Sequence, residues 1–241
     1  LTLGLTGLRT KDEDKRMVSG NDEKAMAATP VEAIVRLPFE PYYDQDGITI
    51  YNADCRKVLP WLERFDLLLT DPPYGIGFAA QPTKWQRLAG QKAETWDDAT
   101  PAGWTVQQML EVCETGIVWG GNYYGLRPSR CWLSWHKPDA PPSMSNVEYA
   151  WTSMDKNSRQ MSQSISATNA ERVGHPTQKP LAVMRWCLGL VPEAQTVLDP
   201  FMGSGTTLLA AKLEGRKAVG IEINERYCEA AANRLKQKTL W

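Results

Sequence analysis

The sequence predicts an α/β fold built on a mostly parallel, doubly wound sheet, and three observations carry that reading. Phe65-Asp66-Leu67-Leu68-Leu69-Thr70 is an apolar run of strand length, of the kind buried on both faces of a parallel sheet. The last third of the chain alternates strand and helix patterns, an order that implies right-handed parallel crossovers. A tight glycine turn, Gly203-Ser204-Gly205, joins one of those strands to the helix that follows it.

In chain order, residues 1–40 are mixed-charge and polar, and read as a disordered or loosely attached tail. A domain of residues 41–241 follows. Its first strand is 47–54, β-branched and ending in an acid. Residues 55–63 read as a helix, 65–70 as the buried strand, and 76–103 as a long loop of functional length. Residues 106–114 read as a helix, and 116–120 and 131–135 as strands. Residues 139–172, rich in Ser, Asn, Gln and Pro, read as an inserted lobe or loop. Helices at 180–190, 206–213 and 226–238 then enclose strands at 196–199 and 217–222.

Composition bounds the function. The chain of 241 residues can bury a core without disulfides, and its five dispersed cysteines form no C-x-x-C pair, so reduced thiols and a cytoplasmic setting are expected. Only two histidines, His136 and His175, are present, and no cluster has metal-ligand spacing, so no metal is expected. No apolar run reaches spanning length and no signal peptide is visible, so no membrane partner is expected. With 27 basic and 28 acidic residues, a uniform nucleic-acid coat is excluded but a local groove is not. Residues 127–190 carry 8 Lys/Arg against 4 Asp/Glu, whereas 1–74 carry 9 against 13, so any groove is expected on the former.

Two motifs carry chemistry. Asp199-Pro200-Phe201-Met202-Gly203-Ser204-Gly205-Thr206-Thr207 sits between a strand and a helix, where glycines admit a ligand close to the backbone. The next strand ends in Glu222, an acid placed to accept hydrogen bonds from a ribose diol. Neither the three glycines of a dinucleotide fingerprint nor a P-loop lysine is present, so the ligand is nucleoside-like but neither NAD nor ATP. The second motif is Asp71-Pro72-Pro73-Tyr74. Two prolines stiffen the turn after the buried strand and leave carbonyls free of a paired backbone donor. With the Asp71 carboxylate and the Tyr74 ring, they form a cradle for a flat group bearing an NH2.

Asp71-Pro72-Pro73-Tyr74 followed by Asp199-Pro200-Phe201-Met202-Gly203-Ser204-Gly205 resembles the β class of DNA amino-methyltransferases, in which the catalytic motif precedes the cofactor motif. His175-Pro176-Thr177-Gln178-Lys179-Pro180 is similar to the helix-leading motif of that family, and the resemblance spans about residues 41–238. It implies a circularly permuted, Rossmann-like fold of the kind used by S-adenosylmethionine (SAM)-dependent methyltransferases, with 139–172 as a small target-recognition insertion. It also implies that SAM is the cofactor and double-stranded DNA the substrate; relatives in that family often pair, which makes a homodimer the candidate assembly, and a restriction-modification setting is compatible with it.

The resemblance also distributes roles. Asp71, Pro72, Pro73 and Tyr74 would be catalytic. Asp54, Cys55, Thr177, Gln178, Lys179, Asp199, Phe201, Gly203, Ser204, Gly205, Thr206, Glu222 and Asn224 would hold the cofactor, Glu222 at the ribose, Asp54 at the adenine and Lys179 at the methionine carboxylate. Asp at the first position of the tetrapeptide favours N6 of adenine over N4 of cytosine. A protein glutamine as acceptor, or an inactive DNA-binding relative, is the more distant alternative. His136 and Lys137 are candidates for a phosphate contact, Lys84, Arg87, Lys92 and Trp96 for a closing loop, and Lys156 and Arg159 for recognition.

Overall fold

The computed structural model describes residues 38–77, 99–170 and 178–237, all within one compact unit. Nine strands form one sheet in the order β1-β2-β9-β8-β3-β4-β6-β5-β7. These are β1 (Tyr43–Gln45), β2 (Ile48–Asn52), β3 (Phe65–Thr70), β4 (Cys113–Trp119), β5 (Trp132–His136), β6 (Val147–Thr152), β7 (Arg159–Ser162), β8 (Thr196–Asp199) and β9 (Lys217–Glu222). The central five, β2, β9, β8, β3 and β4, pair in parallel. Their C-terminal ends therefore lie along one edge of the sheet. β6 pairs antiparallel with both β4 and β5, and β1 pairs antiparallel with β2.

Side chains alternate across each strand, so the sheet feeds two cores. Leu67, Leu69, Ile117, Trp119 and Val197 enter one, under helices α4 (Leu181–Gly189), α5 (Thr206–Leu213) and α6 (Glu225–Lys236). Leu68, Val118, Leu198 and Ile221 enter the other, with Val58 of α1 (Cys55–Val58) and Val106 and Met109 of α2 (Gly103–Glu111). Leu67, Leu68 and Leu69 are all fully buried, which is why β3 reads as an uninterrupted apolar run. Helix α3 (Ile165–Ala170) follows β7.

Several elements differ from the sequence expectation. The helix foreseen at 55–63 stops at Val58 and tightens into a 3-10 turn, Leu59–Trp61, where Pro60 removes a backbone donor. The helix foreseen to residue 114 ends at Glu111, and β4 begins at Cys113, earlier than expected. The segment 139–172 supplies β6 and β7 to the main sheet. Its polar composition hid them, because β7 is largely exposed and β6 buries only its second half. The tail of residues 1–37 and most of the loop foreseen at 76–103, with Lys84, Arg87, Lys92 and Trp96, lie outside the described residues.

Strands β3 and β8 are distant in sequence and need a fixed register. Asp66 provides it: one oxygen, Oδ2, accepts from Gln195 N at 2.8 Å, Thr196 N at 2.8 Å and Thr196 Oγ1 at 2.9 Å. Thr196 Oγ1 lies 2.9 Å from Asp66 N in turn. Asp66→Ala leaves those amide donors unpaired and is expected to cost about 1–3 kcal/mol of stability, read from denaturant unfolding. An unchanged midpoint would remove this clamp from the account of the register.

Candidate active site

Each parallel strand delivers one motif to the shared edge. β3 ends in Thr70 and releases Asp71–Tyr74. Its neighbour β8 ends in Asp199 and releases the glycine loop. Beyond it β9 ends in Glu222, β2 leads to Asp54, and on the other side β4 leads to Gly120. The two motifs meet directly: Thr70 Oγ1 donates to Asp199 Oδ1 at 2.7 Å. Asp199 also caps its own loop, accepting from Phe201 N at 3.2 Å. Burial pushes the Asp199 carboxyl up to about 6, against the hydroxyls of Thr207 and Thr70.

The loop after β8 turns on two left-handed glycines, Gly203 at φ 50° and Gly205 at φ 76°. Gly205 is also the N-cap of α5, and a Cβ there would sit 2.7 Å from Ala231 Cβ. Gly203 N donates to Glu222 Oε2 at 3.1 Å and Asn224 N to Glu222 Oε1 at 2.7 Å, so the carboxylate is oriented from both sides. Burial raises its pKa. Phe201 is half-buried beside it, and Ile223 is 69% exposed.

Other residues expected at the cofactor turn inward. Cys55 packs in the core, and burial lifts its thiol to about 12. Ser204 and Thr206 are buried: Ser204 Oγ donates to Gln178 Oε1 at 3.1 Å, and Arg234 Nη1 donates to Ser204 O at 2.7 Å and Thr206 Oγ1 at 3.1 Å. They fasten the loop to α6 and to the segment before α4. Asn224 caps α6 by accepting from Arg226 N at 3.1 Å. Asp54 caps α1 and accepts from Arg56 Nε at 2.9 Å, a hydrogen bond that holds its carboxyl below the usual range. Thr177 lies outside the described residues, together with His175 and Pro176.

Around Asp71 the arrangement is denser than the tetrapeptide alone suggests. Tyr74 Oη donates to Asp71 Oδ1 at 2.7 Å. Lys179 Nζ donates to Asp71 Oδ2 at 2.6 Å and to Tyr74 Oη at 3.0 Å, and pairs with Glu148 Oε2 at 3.0 Å. Glu148 Oε1 in turn pairs with Lys137. Tyr124 Oη donates to Pro72 O at 2.7 Å and lies 3.2 Å from Pro73 O. Tyr123 stacks on Tyr74, with centroids 5.1 Å apart and planes at 17°. Burial drives the Asp71 carboxyl and the Tyr74 phenol upward. Glu148 goes the other way, to about 2: burial opposes its charge, but Lys179 and Lys137 together outweigh it.

Lys179, expected at a methionine carboxylate, thus has its ammonium on Asp71, Glu148 and Tyr74. Lys137, a candidate for phosphate contact, is buried against Glu148 with its ammonium 4.7 Å from the Trp135 ring centroid, because a buried ammonium needs a counter-charge. His136 is half-buried, with Nδ1 3.1 Å from Ser162 Oγ. Lys156 binds Leu190 O at 3.0 Å, and Arg159 is exposed. Glu148, Tyr123 and Tyr124 escaped the sequence reading. Among the described residues there is no group of three or more metal-ligating side chains and no helix long and apolar enough to cross a membrane.

A mixed α/β sheet with an acid-and-glycine edge beside a Pro-Pro cradle defines a methyltransferase-type fold. Two solved structures share it. That of M1.HpyAVI with SAM has a TM-score of 0.52 at 21% identity, over 79% of this chain and 100% of that one. That of PvuII DNA methyltransferase (cytosine-N4-specific) has 0.56 at 18%, over 85% and 92%. The family model described as DNA methylase, N6_N4_Mtase, matches residues 118–233. The Type II methyltransferase M.ScaI of Streptomyces caespitosus is 28% identical over 81% of this chain and 84% of its own length. The Type II methyltransferase M2.LlaDCHI of Lactococcus lactis subsp. cremoris is 26% identical over 81% and 92%. Across these comparisons the chain is similar to N6-adenine/N4-cytosine DNA methyltransferases.

Two outcomes are expected here. Gly120 sits at φ 68°, and a Cβ on it would run into the Tyr74 ring. Gly120→Ala should therefore move Tyr74 and lower methyl transfer at least tenfold, by the order of a positional error at a reacting centre; wild-type turnover would show that Tyr74 placement does not matter. For Asp199, a folded-state pKa near 6 against an ordinary 3.8 means that the fold holds an extra proton between those values. Stability then falls as pH rises through that window. Asp199→Asn should flatten that part of a Tm-against-pH curve, and an identical curve would contradict the burial argument.

Proposed function

We propose that the chain transfers a methyl group from SAM to N6 of adenine in double-stranded DNA, with Asp71, Pro72, Pro73 and Tyr74 as the catalytic group. The observation that carries this is the Thr70–Asp199 hydrogen bond at 2.7 Å, which sets the two motifs on adjacent strand ends. The edge residues fit a nucleoside-bearing cation. Glu222 is an oriented acceptor for a diol, Phe201 and Ile223 offer apolar surface beside it, and the left-handed Gly203 allows close approach. Asp54 would face the adenine and Gln178 would back the loop.

When bound, SAM supplies an electrophilic methyl on a sulfonium. The protein's part is to hold the acceptor. An exocyclic amine is a poor nucleophile because its lone pair is spread into the ring. Asp71 accepts one amine hydrogen and the outward lone pair of the Pro72 carbonyl the other. Both localise the nitrogen lone pair and offset the charge that develops on it. Tyr124 anchors the Pro72 carbonyl by its other lone pair, so the turn needs no rearrangement. Tyr74, stacked on Tyr123 by one face, offers the other to the base. An amine within a duplex cannot reach this edge, so the target base is flipped out.

Adenine is favoured because Asp stands at position 71. Cytosine N4 is the second reading, favoured by the resemblance to the cytosine-N4-specific PvuII enzyme fold. In this reading residues 41–241 form the methyltransferase domain with its motifs in permuted order, and 139–172, which holds β6 and β7, contributes to target recognition. Labelled SAM with unmethylated duplex should give label in DNA, and nucleoside analysis should show N6-methyladenine. Asp71→Ala should abolish transfer while SAM still binds. Transfer at the normal rate by that variant would end the catalytic assignment, and N4-methylcytosine would replace the substrate.

A further inference from the structure

We propose that Glu148 is a positioning residue for methyl transfer, drawing the Lys179 ammonium partly off Asp71 so that Asp71 keeps its strength as an acceptor for the target amine. This rests on the reading of Asp71 above and extends it to a residue on β6. The geometry is a chain of four buried or half-buried charges of alternating sign, Lys137, Glu148, Lys179 and Asp71. The ammonium of Lys179 donates to Asp71 and Tyr74 and forms an ion pair with Glu148 Oε2 at 3.0 Å. Each oxygen of Glu148 faces one lysine, Oε1 towards Lys137 and Oε2 towards Lys179.

The arrangement bears on catalysis because an ammonium on a carboxylate competes with any other donor. A lysine bound to Asp71 alone would neutralise it in a poorly solvated site, and the amine would meet a weak acceptor. Glu148 divides that attraction. It also places a second negative charge near Asp71, which raises the proton affinity of the catalytic carboxylate. Lys137 does the reverse at one remove, by holding Glu148 away from Lys179. Trp135, opposite Glu148 in the β5–β6 register, lies against the Lys137 ammonium and fixes that end. Among the described residues, the other titratable groups around Asp71 and Lys179 are Tyr74 after β3, Tyr124 after β4, Asp199 at the end of β8 and Cys187 on α4. Of these four, Asp199 is the carboxylate, and it belongs to the glycine loop.

The test is the pH profile of steady-state methyl transfer for three variants of the full chain. In Glu148→Gln, kcat should fall roughly tenfold or more, the order expected when one electrostatic contact at a reacting centre is weakened. KM for SAM should stay unchanged, and the acid limb should move to lower pH because Asp71 has lost a like-charged neighbour. Lys137→Met should move the acid limb to higher pH. A purely structural role for Glu148 predicts reduced stability with both limbs in place. Wild-type kcat and profile in Glu148→Gln would overturn the inference. If that variant does not fold, Lys137→Met decides: an upward shift supports the inference and a fixed limb overturns it. Asp71→Ala run alongside separates the two layers, since activity in that variant would remove the catalytic reading itself.

Discussion

The arrangement depends on the parallel pairing of β3 with β8. It joins the half of the sheet that carries Asp54, Glu222 and the glycine loop to the half that carries Asp71–Tyr74 and Gly120. The pairing is short, with Leu67 facing Val197 and Leu68 facing Leu198. It is closed at each end by a side chain, Asp66 at the start and the Thr70–Asp199 contact at the finish. A slip of one residue would reverse which face each leucine enters, so the two cores on either side of the sheet enforce the same register. Structure and site are therefore secured by the same residues.

That dependence explains what the sequence made legible. β3, β8 and β9 announce themselves by local features: an apolar run for β3, and for β8 and β9 an acid at the strand end with glycines between. The Asp71–Tyr74 and Asp199–Gly205 motifs are contiguous, and their chemistry follows from residue type. Glu148, Lys137 and Tyr124 offer no such cue. Each is an ordinary residue in its own segment and acquires meaning only across the sheet, where β6 lies next to β4. β6 itself was hidden because Val147 to Tyr149 are not fully buried while Ala150 to Thr152 are. A strand that is half solvent-facing and half core has neither clean alternation nor a continuous apolar run.

The inward-facing residues of the glycine loop show a second limit on motif reading. Ser204, Gly205 and Thr206 fall inside a ligand-binding pattern, yet their side chains and packing serve the loop. Arg234 of α6 reaches both Ser204 and Thr206, and Gly205 lets α5 approach Ala231. Burial divides the motif: Phe201, Gly203 and Glu222 are half-buried at the edge, whereas Ser204, Gly205 and Thr206 are buried and hold the turn in place.

The charges near Asp71 follow from the same economy of space. In the proposed reaction Asp71 accepts from an incoming amine, and poor solvation favours this because water would otherwise take its lone pairs. Burial alone would favour the protonated form, which accepts weakly. The Lys179 ammonium favours the ionised form against that burial, at the risk of occupying it. Adding a second carboxylate resolves the conflict, and that carboxylate then needs a cation of its own. The four-membered chain from Lys137 to Asp71 meets these requirements with no net charge. It requires β5, β6, the end of β3 and the segment before α4 to converge, which the antiparallel extension of the sheet beyond β4 makes possible.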